Sequence, residues 1–193
     1  VTAKRPSDYQ YGFDGMSHAR MLEKMQSAWK SSETPCGRGS EIEMTILVRA
    51  LLPVLMADYD LHSLNDAGAG DLHWMAEMEW DESITYKGFD LVPRHEDVEE
   101  FDITTEYLPY ADLVLCRHVL NHLSPRLAMN ALDNFIASGS RYLLITNCDN
   151  QVTYWEACNL KLRAPINTWK DATKWWLELH DMHEPNLYHH VFR

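Results

Sequence analysis

The sequence predicts an α/β fold, a mostly parallel central sheet flanked by helices, with a helical extension at the N-terminus. From about residue 40 onward, short apolar runs alternate with amphipathic stretches, which is the pattern of strand-helix-strand units. An acidic residue that closes one apolar run, Asp66, is followed by Gly68 and Gly70, the composition of a tight turn off a strand end. The length of 193 residues, with 46% hydrophobic and 24% charged residues, supports one substantial core and would leave two weak ones. Residues 1–193 therefore read as a single domain, with residues 1–36 as an N-terminal helical extension that could serve as a lid.

Each element has a local cause. Met21, Met25, Ala28 and Trp29 recur at turn spacing and predict a helix over residues 15–30. Pro35, Gly37 and Gly39 break that pattern, and Ser40 with Glu43 forms a capping box that opens a helix through Ile42, Ile46, Val48 and Leu51, to be kinked or ended by Pro53. Strands are predicted over residues 61–65, 84–89, 100–103, 112–116 and 141–146. Ser124 as N-cap and Pro125 in the first turn start a helix that buries Leu127, Ala131, Leu132, Phe135 and Ile136 and stops at Gly139. Beyond Cys148 the sequence predicts a turn at Asp149 and Asn150, a Trp-rich helix over 168–180 and a closing strand over 186–192.

Composition excludes several classes. No run of about 18 uncharged apolar residues occurs and the first residues lack the apolar core of a secretion signal, so membrane spanning and export are not expected. Cys36, Cys116, Cys148 and Cys158 are scattered without a CxxC pair, which fits reduced thiols in the cytoplasm. A net charge of −12 repels a polyanion at long range, so a small molecule or a protein is a better partner than DNA.

The stretch from Ser63 to Leu72 carries the most chemistry. Glycines let a backbone approach a ligand without a Cβ clash, and the helical pattern that follows them predicts a helix whose N-terminus offers free N–H donors. Gly68-x-Gly70 lacks the third glycine of a dinucleotide fingerprint, and Asp71 points negative charge at any pyrophosphate. A cationic, phosphate-free nucleoside such as S-adenosylmethionine suits acidic residues here far better. Two more acids end the next predicted strands. Asp90 follows Asp66 at close to the roughly 20-residue spacing at which a carboxylate grips ribose hydroxyls, and Asp102 is placed to accept from an adenine amino group. Three acids on successive strand ends of a parallel sheet mark its ligand-binding edge, which makes the fold Rossmann-like.

With these residues in view, the sequence resembles the class I S-adenosylmethionine-dependent methyltransferases. More narrowly it is similar to a bacterial and phage branch with Asp-x-Pro-Cys-Gly-Asp-x-x-Trp-Met, Cys-Arg-Asp-x-Leu-x-His-Leu-Ser and Ser-Gly-Ser-x-Tyr-Leu-Leu segments. The matching stretches run from Asp66 to Met75, from Cys116 to Ser124 and from Ser138 to Leu144. The resemblance covers about Gly37 to Asn147. It implies S-adenosylmethionine as cofactor, with Asp66, Ala67, Gly68 and Gly70 at its methionine end. It further implies Asp90 with Leu91 at the ribose, Asp102 and Ile103 at the adenine, and Cys116 and Arg117 behind the sulfonium. Gly68-Ala69 stands where the branch has Pro-Cys, and His118 stands where it has Asp.

Methyl transfer needs alignment and, for a protonated acceptor, a base. His118 and His122 are the candidates, because imidazole titrates near neutral pH. Two other functional classes remain on sequence grounds: a protein that binds the cofactor without transferring its methyl group, and, less well supported, an NAD-type oxidoreductase. His180, His183, Glu184, His189 and His190 lack a second pair at metal-ligand spacing, so no metal is expected. Trp155, Trp169, Trp175 and Trp176 read as packing bulk, and Cys36 precedes the glycine turn where a cytosine-C5 nucleophile would follow it.

Overall fold

A computed structural model of the chain describes residues 32–123, 125–148, 168–170 and 175–183, of which 121, 125, 147, 148, 168–170, 175 and 176 are described by backbone alone. The first helix, α1, spans Ile46–Asp58, and the second, α2, spans Pro125–Ala137. The strands are β1 (Ser63–Ala67), β2 (Thr85–Asp90), β3 (Val98–Glu100), β4 (Leu113–Cys116), β5 (Tyr142–Cys148), β6 (Thr168–Lys170) and β7 (Trp175–Asp181). Among the described residues they form one seven-stranded sheet in the order β3-β2-β1-β4-β5-β7-β6. Pairing is parallel from β3 through β5, whereas β7 runs antiparallel to both β5 and β6.

Strand pleating sorts the apolar side chains onto two faces. Leu64, Leu113, Leu115 and Leu144 pack with α1 residues such as Leu52 and Leu55, while Ala67, Val114, Cys116 and Ile145 pack with α2 residues such as Leu132 and Phe135. The central strand β4 is buried on both sides, as parallel strands are when helices cover both faces. No helix among the described residues is long and apolar enough to cross a membrane.

Several expected elements differ in detail. Ser40 makes no cap to the helix; two 3-10 turns, Arg38–Ser40 and Glu43–Thr45, precede α1. Pro53 does not end α1, which runs on to Asp58, because it sits on the exposed face, where water can satisfy the carbonyl its missing N–H leaves unpaired. The third strand lies over Val98–Glu100, two residues before its predicted start, since Asp102 and the residues after it form a turn. Residues 175–181 are a strand, not the C-terminal half of a helix. Leu177 and Leu179 alternate with Glu178 and His180 at a period of two, and the strand satisfies its backbone against β5 over seven residue pairs. Gly139 does end α2, with a left-handed φ of 72° and its N–H on the Ile136 carbonyl. The helix predicted over 15–30, the Ser124 cap, the turn at Asp149 and the strand over 186–192 lie outside the described residues.

Candidate functional site

The carboxyl ends of β1, β2 and β4 meet where the strand order reverses, since β1 has β2 on one side and β4 on the other. Open parallel sheets bind ligands at such a switch point. The chain leaves β1 through Gly68 at φ 105° and Gly70 at φ 64°, both in the region that glycine alone enters freely. The Gly68 and Ala69 N–H groups donate to the Phe89 carbonyl at 2.7 and 3.0 Å, which ties the turn to the end of β2. A Cβ on Gly68 would overlap the Cγ2 of Val119, and one on Gly70 would lie 2.5 Å from the Cys36 sulfur. No α-helix follows this turn; a three-residue 3-10 turn, Met75–Glu77, stands where a helix was expected.

Asp90 holds the turn from the side. Its Oδ2 accepts the Gly70 N–H at 2.9 Å and its Oδ1 accepts the Val92 N–H at 2.8 Å. Burial raises its carboxyl above the ordinary range, partly offset by these two backbone donors and by Arg94. Asp66 is 3% exposed and receives the Tyr86 hydroxyl at 3.0 Å. Desolvation pushes its carboxyl up to about 7, with Asp90 adding to the rise and Tyr86 and Arg117 opposing it. Asp102 uses Oδ1 to accept both the backbone N–H and the hydroxyl of Thr104, at 2.8 and 2.7 Å, so it shapes the turn after β3.

On the β4 side, Arg117 is 9% exposed and donates to the carbonyls of Gly39 at 2.6 Å and Met44 at 3.3 Å, with its guanidinium 5.8 Å from the Trp74 ring centre. His118 takes a left-handed φ of 56°, an uncommon conformation for a residue with a side chain. Its backbone N–H donates to the Thr146 hydroxyl, and its ring packs against Gly39. Burial, then Arg117 and His122, hold its imidazole well below the usual histidine range, so it is neutral at pH 7. Residues 32–41 cross over the glycine turn as a strap. Thr34 donates its hydroxyl to Asp71 Oδ2 at 2.7 Å, Glu33 sits 3.1 Å from His73, and Cys36 lies on Gly70, where burial and Asp71 push its thiol up to about 12.

This arrangement of strands and turn recurs in solved structures. The N-methyltransferase NodS from Bradyrhizobium japonicum WM9, in complex with S-adenosyl-L-homocysteine, superposes with a TM-score of 0.55 at 13% identity, over 86% of this chain and 98% of that one. Magnesium protoporphyrin IX methyltransferase (ChlM) from Synechocystis PCC 6803, with bound S-adenosylmethionine, gives 0.52 at 11% identity over 93% and 97%. The 1,6-didemethyltoxoflavin-N1-methyltransferase of Burkholderia thailandensis gives 0.50 at 14% identity over 92% and 75%. The fold is that of the S-adenosylmethionine-dependent methyltransferases. No protein-family model matches the sequence, and no curated protein matches it.

Within this methyltransferase fold the residues expected from sequence fall into three groups. Asp66, Ala67, Gly68, Gly70 and Asp90 converge at the turn, with Cys116, Arg117 and Val119 beside them. Leu91, Asp102 and Ile103 follow the ends of β2 and β3; Ile103 is buried and its carbonyl accepts from Asn134. His118 and His122 lie beyond β4, His122 at the end of the 3-10 turn Leu120–His122. Cys116 is buried and its thiol is pushed far up, which keeps it neutral. Of the histidine-rich C-terminal set, His180 is buried 3.3 Å from Glu178 and His183 is exposed, while Glu184, His189 and His190 lie outside the described residues. Among the described residues no three His, Cys, Asp or Glu side chains gather in a metal-binding group. The four tryptophans read as packing bulk are not described at side-chain level.

Tyr86 and Thr34 were not singled out from sequence. Tyr86 was recoverable, because pairing of Asp66 with Gly88 places it two residues back on the same face, and Gly88 leaves room for its hydroxyl. Thr34 reaches Asp71 across 37 positions, and nothing in local sequence signals that contact.

Proposed function

We propose that the chain binds S-adenosylmethionine in the cleft at the strand ends and transfers its methyl group to a small molecule or a protein. The carrying observation is the convergence of Asp66 and Asp90 on a glycine turn at the switch point of this fold. The residues fit the cofactor: left-handed glycines open the backbone to it, and carboxylates favour a cation while disfavouring a diphosphate. Asp66, Ala67, Gly68 and Gly70 hold the methionine end, Asp90 and Leu91 the ribose, and Asp102 and Ile103 the adenine. Cys116 contributes an apolar wall. Arg117 turns its charge away, into the carbonyls of Gly39 and Met44, and so braces the strap over the site.

Bound there, S-adenosylmethionine supplies an electrophilic methyl group on a cationic sulfur. The chain's own part is alignment, plus a proton acceptor where the nucleophile carries a proton. His118, neutral at pH 7, keeps a ring nitrogen lone pair for that purpose, and His122 stands beside it. ChlM and the toxoflavin enzyme are named for small-molecule methylation, and a chain of charge −12 suits such acceptors better than DNA. The free thiols of Cys36 and Cys116 fit a reducing compartment such as the cytoplasm.

One observation favours a second reading, cofactor binding without transfer: Gly39 lies against the His118 ring, on one side of the group that would take the proton. Calorimetric titration with S-adenosylmethionine, S-adenosylhomocysteine and NAD tests the cofactor, and labelled methyl transfer into fractionated cell extract tests turnover. Micromolar binding of the adenosyl ligands with label incorporated supports the enzyme. Binding without incorporation supports the second reading, and absence of adenosyl binding removes both.

A further inference from the structure

Asp66 differs from the other two strand-end acids in how it is held. Asp90 accepts two backbone N–H groups, and Asp102 accepts the N–H and the hydroxyl of Thr104. Asp66 is almost wholly buried and has the Tyr86 hydroxyl as its hydrogen-bond donor. The ionisable groups facing it are Tyr86 and Asp90 from β2 and Cys116 and Arg117 from the end of β4. Tyr86 and Cys116 are both held neutral by burial, Asp90 opposes a second negative charge, and Arg117 is the sole cation of the set, already engaged with Gly39 and Met44. A carboxyl so placed gains more from a proton than from a full charge, until a cation arrives nearby.

We propose that Asp66 carries a proton in the free protein and releases it to solvent when a sulfonium docks at the glycine turn, so that the site prefers the cationic methyl donor over the neutral thioether left after transfer. This rests on the cofactor reading above. The ionised form then faces the methionine end, whose ammonium both ligands share and whose sulfonium only the donor carries, and the proton leaves to the buffer, so charge balances at each step. After transfer the sulfur is neutral, Asp66 takes a proton back, and hold on the product weakens. The carboxyl value near 7 places this exchange at neutral pH.

Two measurements decide it. Carboxyl carbon NMR of the free, aspartate-labelled protein is expected to show one resonance titrating near neutrality, absent in Asp66→Asn and moved to higher pH in Tyr86→Phe. Calorimetry in buffers of different ionisation enthalpy is expected to show proton release on binding S-adenosylmethionine at pH 6.5, vanishing by pH 9, with less release for S-adenosylhomocysteine. Asp66→Asn, which keeps an acceptor for Tyr86, is expected to lose about tenfold in affinity for the sulfonium ligand at pH 8, the equivalent of about one pKa unit, and little for the thioether. A carboxyl that titrates only in the ordinary aspartate range, or equal release with both ligands, overturns the inference. Failure of either ligand to bind overturns the cofactor reading instead, while the NMR titration still decides where the proton sits.

Discussion

The guanidinium of Arg117 reaches from the end of β4 to the carbonyl of Gly39 at 2.6 Å, so a residue of the sheet edge fastens the loop ahead of α1. A second bond to the Met44 carbonyl and the Trp74 ring complete its surroundings. Charged hydrogen bonds to buried carbonyls contribute more than neutral ones.

Arg117→Ala is therefore expected to cost about 2 to 4 kcal/mol, combining lost charged hydrogen bonds and lost packing. Arg117→Lys, whose single ammonium nitrogen lacks the planar fork that reaches Gly39 and Met44 from separate nitrogens, recovers only part of that. Urea denaturation of the three proteins measures it, and a loss under about 0.5 kcal/mol, typical of surface changes, would count against the bracing role.

Gly68→Ala meets two obstacles, a φ of 105° and the Cγ2 of Val119. We expect a cost of about 1 to 3 kcal/mol from backbone strain alone. Adding Val119→Ala relieves the overlap but leaves the strain, so the double variant regains some stability and stays below Val119→Ala alone. Full recovery would show that the side-chain clash was the entire effect.

Asp90→Ala removes the acceptor of two backbone N–H groups at once. A loss of about 1 to 3 kcal/mol in stability is expected from those unsatisfied donors. Loss of adenosyl-ligand affinity by a few kcal/mol is expected alongside, on the scale of charged hydrogen bonds. Unchanged affinity in the folded variant would sink the ribose assignment and leave Asp90 as scaffold.

His118 gives a pH signature. Its imidazole stays neutral in the fold below the 6.5 at which the unfolded chain protonates it, so it costs stability progressively as pH falls through that value toward its lower folded one. The raised carboxyls of Asp66 and Asp90 work in the opposite sense: the fold keeps protons that the unfolded chain has released, a benefit lost as pH rises through their folded values. Comparing wild type with His118→Asn cancels the carboxyls, and Asn tolerates the left-handed backbone. The stability difference between the two proteins is expected to move in favour of the variant between pH 7.5 and pH 5. A pH-independent difference would mean that the imidazole titrates normally.

How much of this was written legibly in the sequence depends on the range of the interaction. Strands β4 and β5 were legible because apolar runs buried on both faces have a local signature, as did the stop at Gly139. The glycine turn and its acids were legible because backbone conformation restricts residue type at a few adjacent positions. Residues 175–181 misled, since Trp175, Trp176, Leu177 and Leu179 satisfy a helical stripe nearly as well as a strand, and only the antiparallel partner β5 decides between them. The strap contacts, Thr34 with Asp71 and Arg117 with Gly39, join positions far apart in the chain and leave no periodic trace.

The missing helix after the glycine turn has an electrostatic consequence. A long helix there would aim its macrodipole at the bound ligand, with roughly half a positive charge at its N-terminus. The three-residue turn at Met75–Glu77 aligns too few peptide units to build such a field, and Asp90 instead orients the Gly70 N–H from the side. The turn thus lacks the fixed positive potential that a helix N-terminus would supply, and on the proposed cofactor reading any discrimination against phosphates would rest on that missing attraction as much as on the carboxylates.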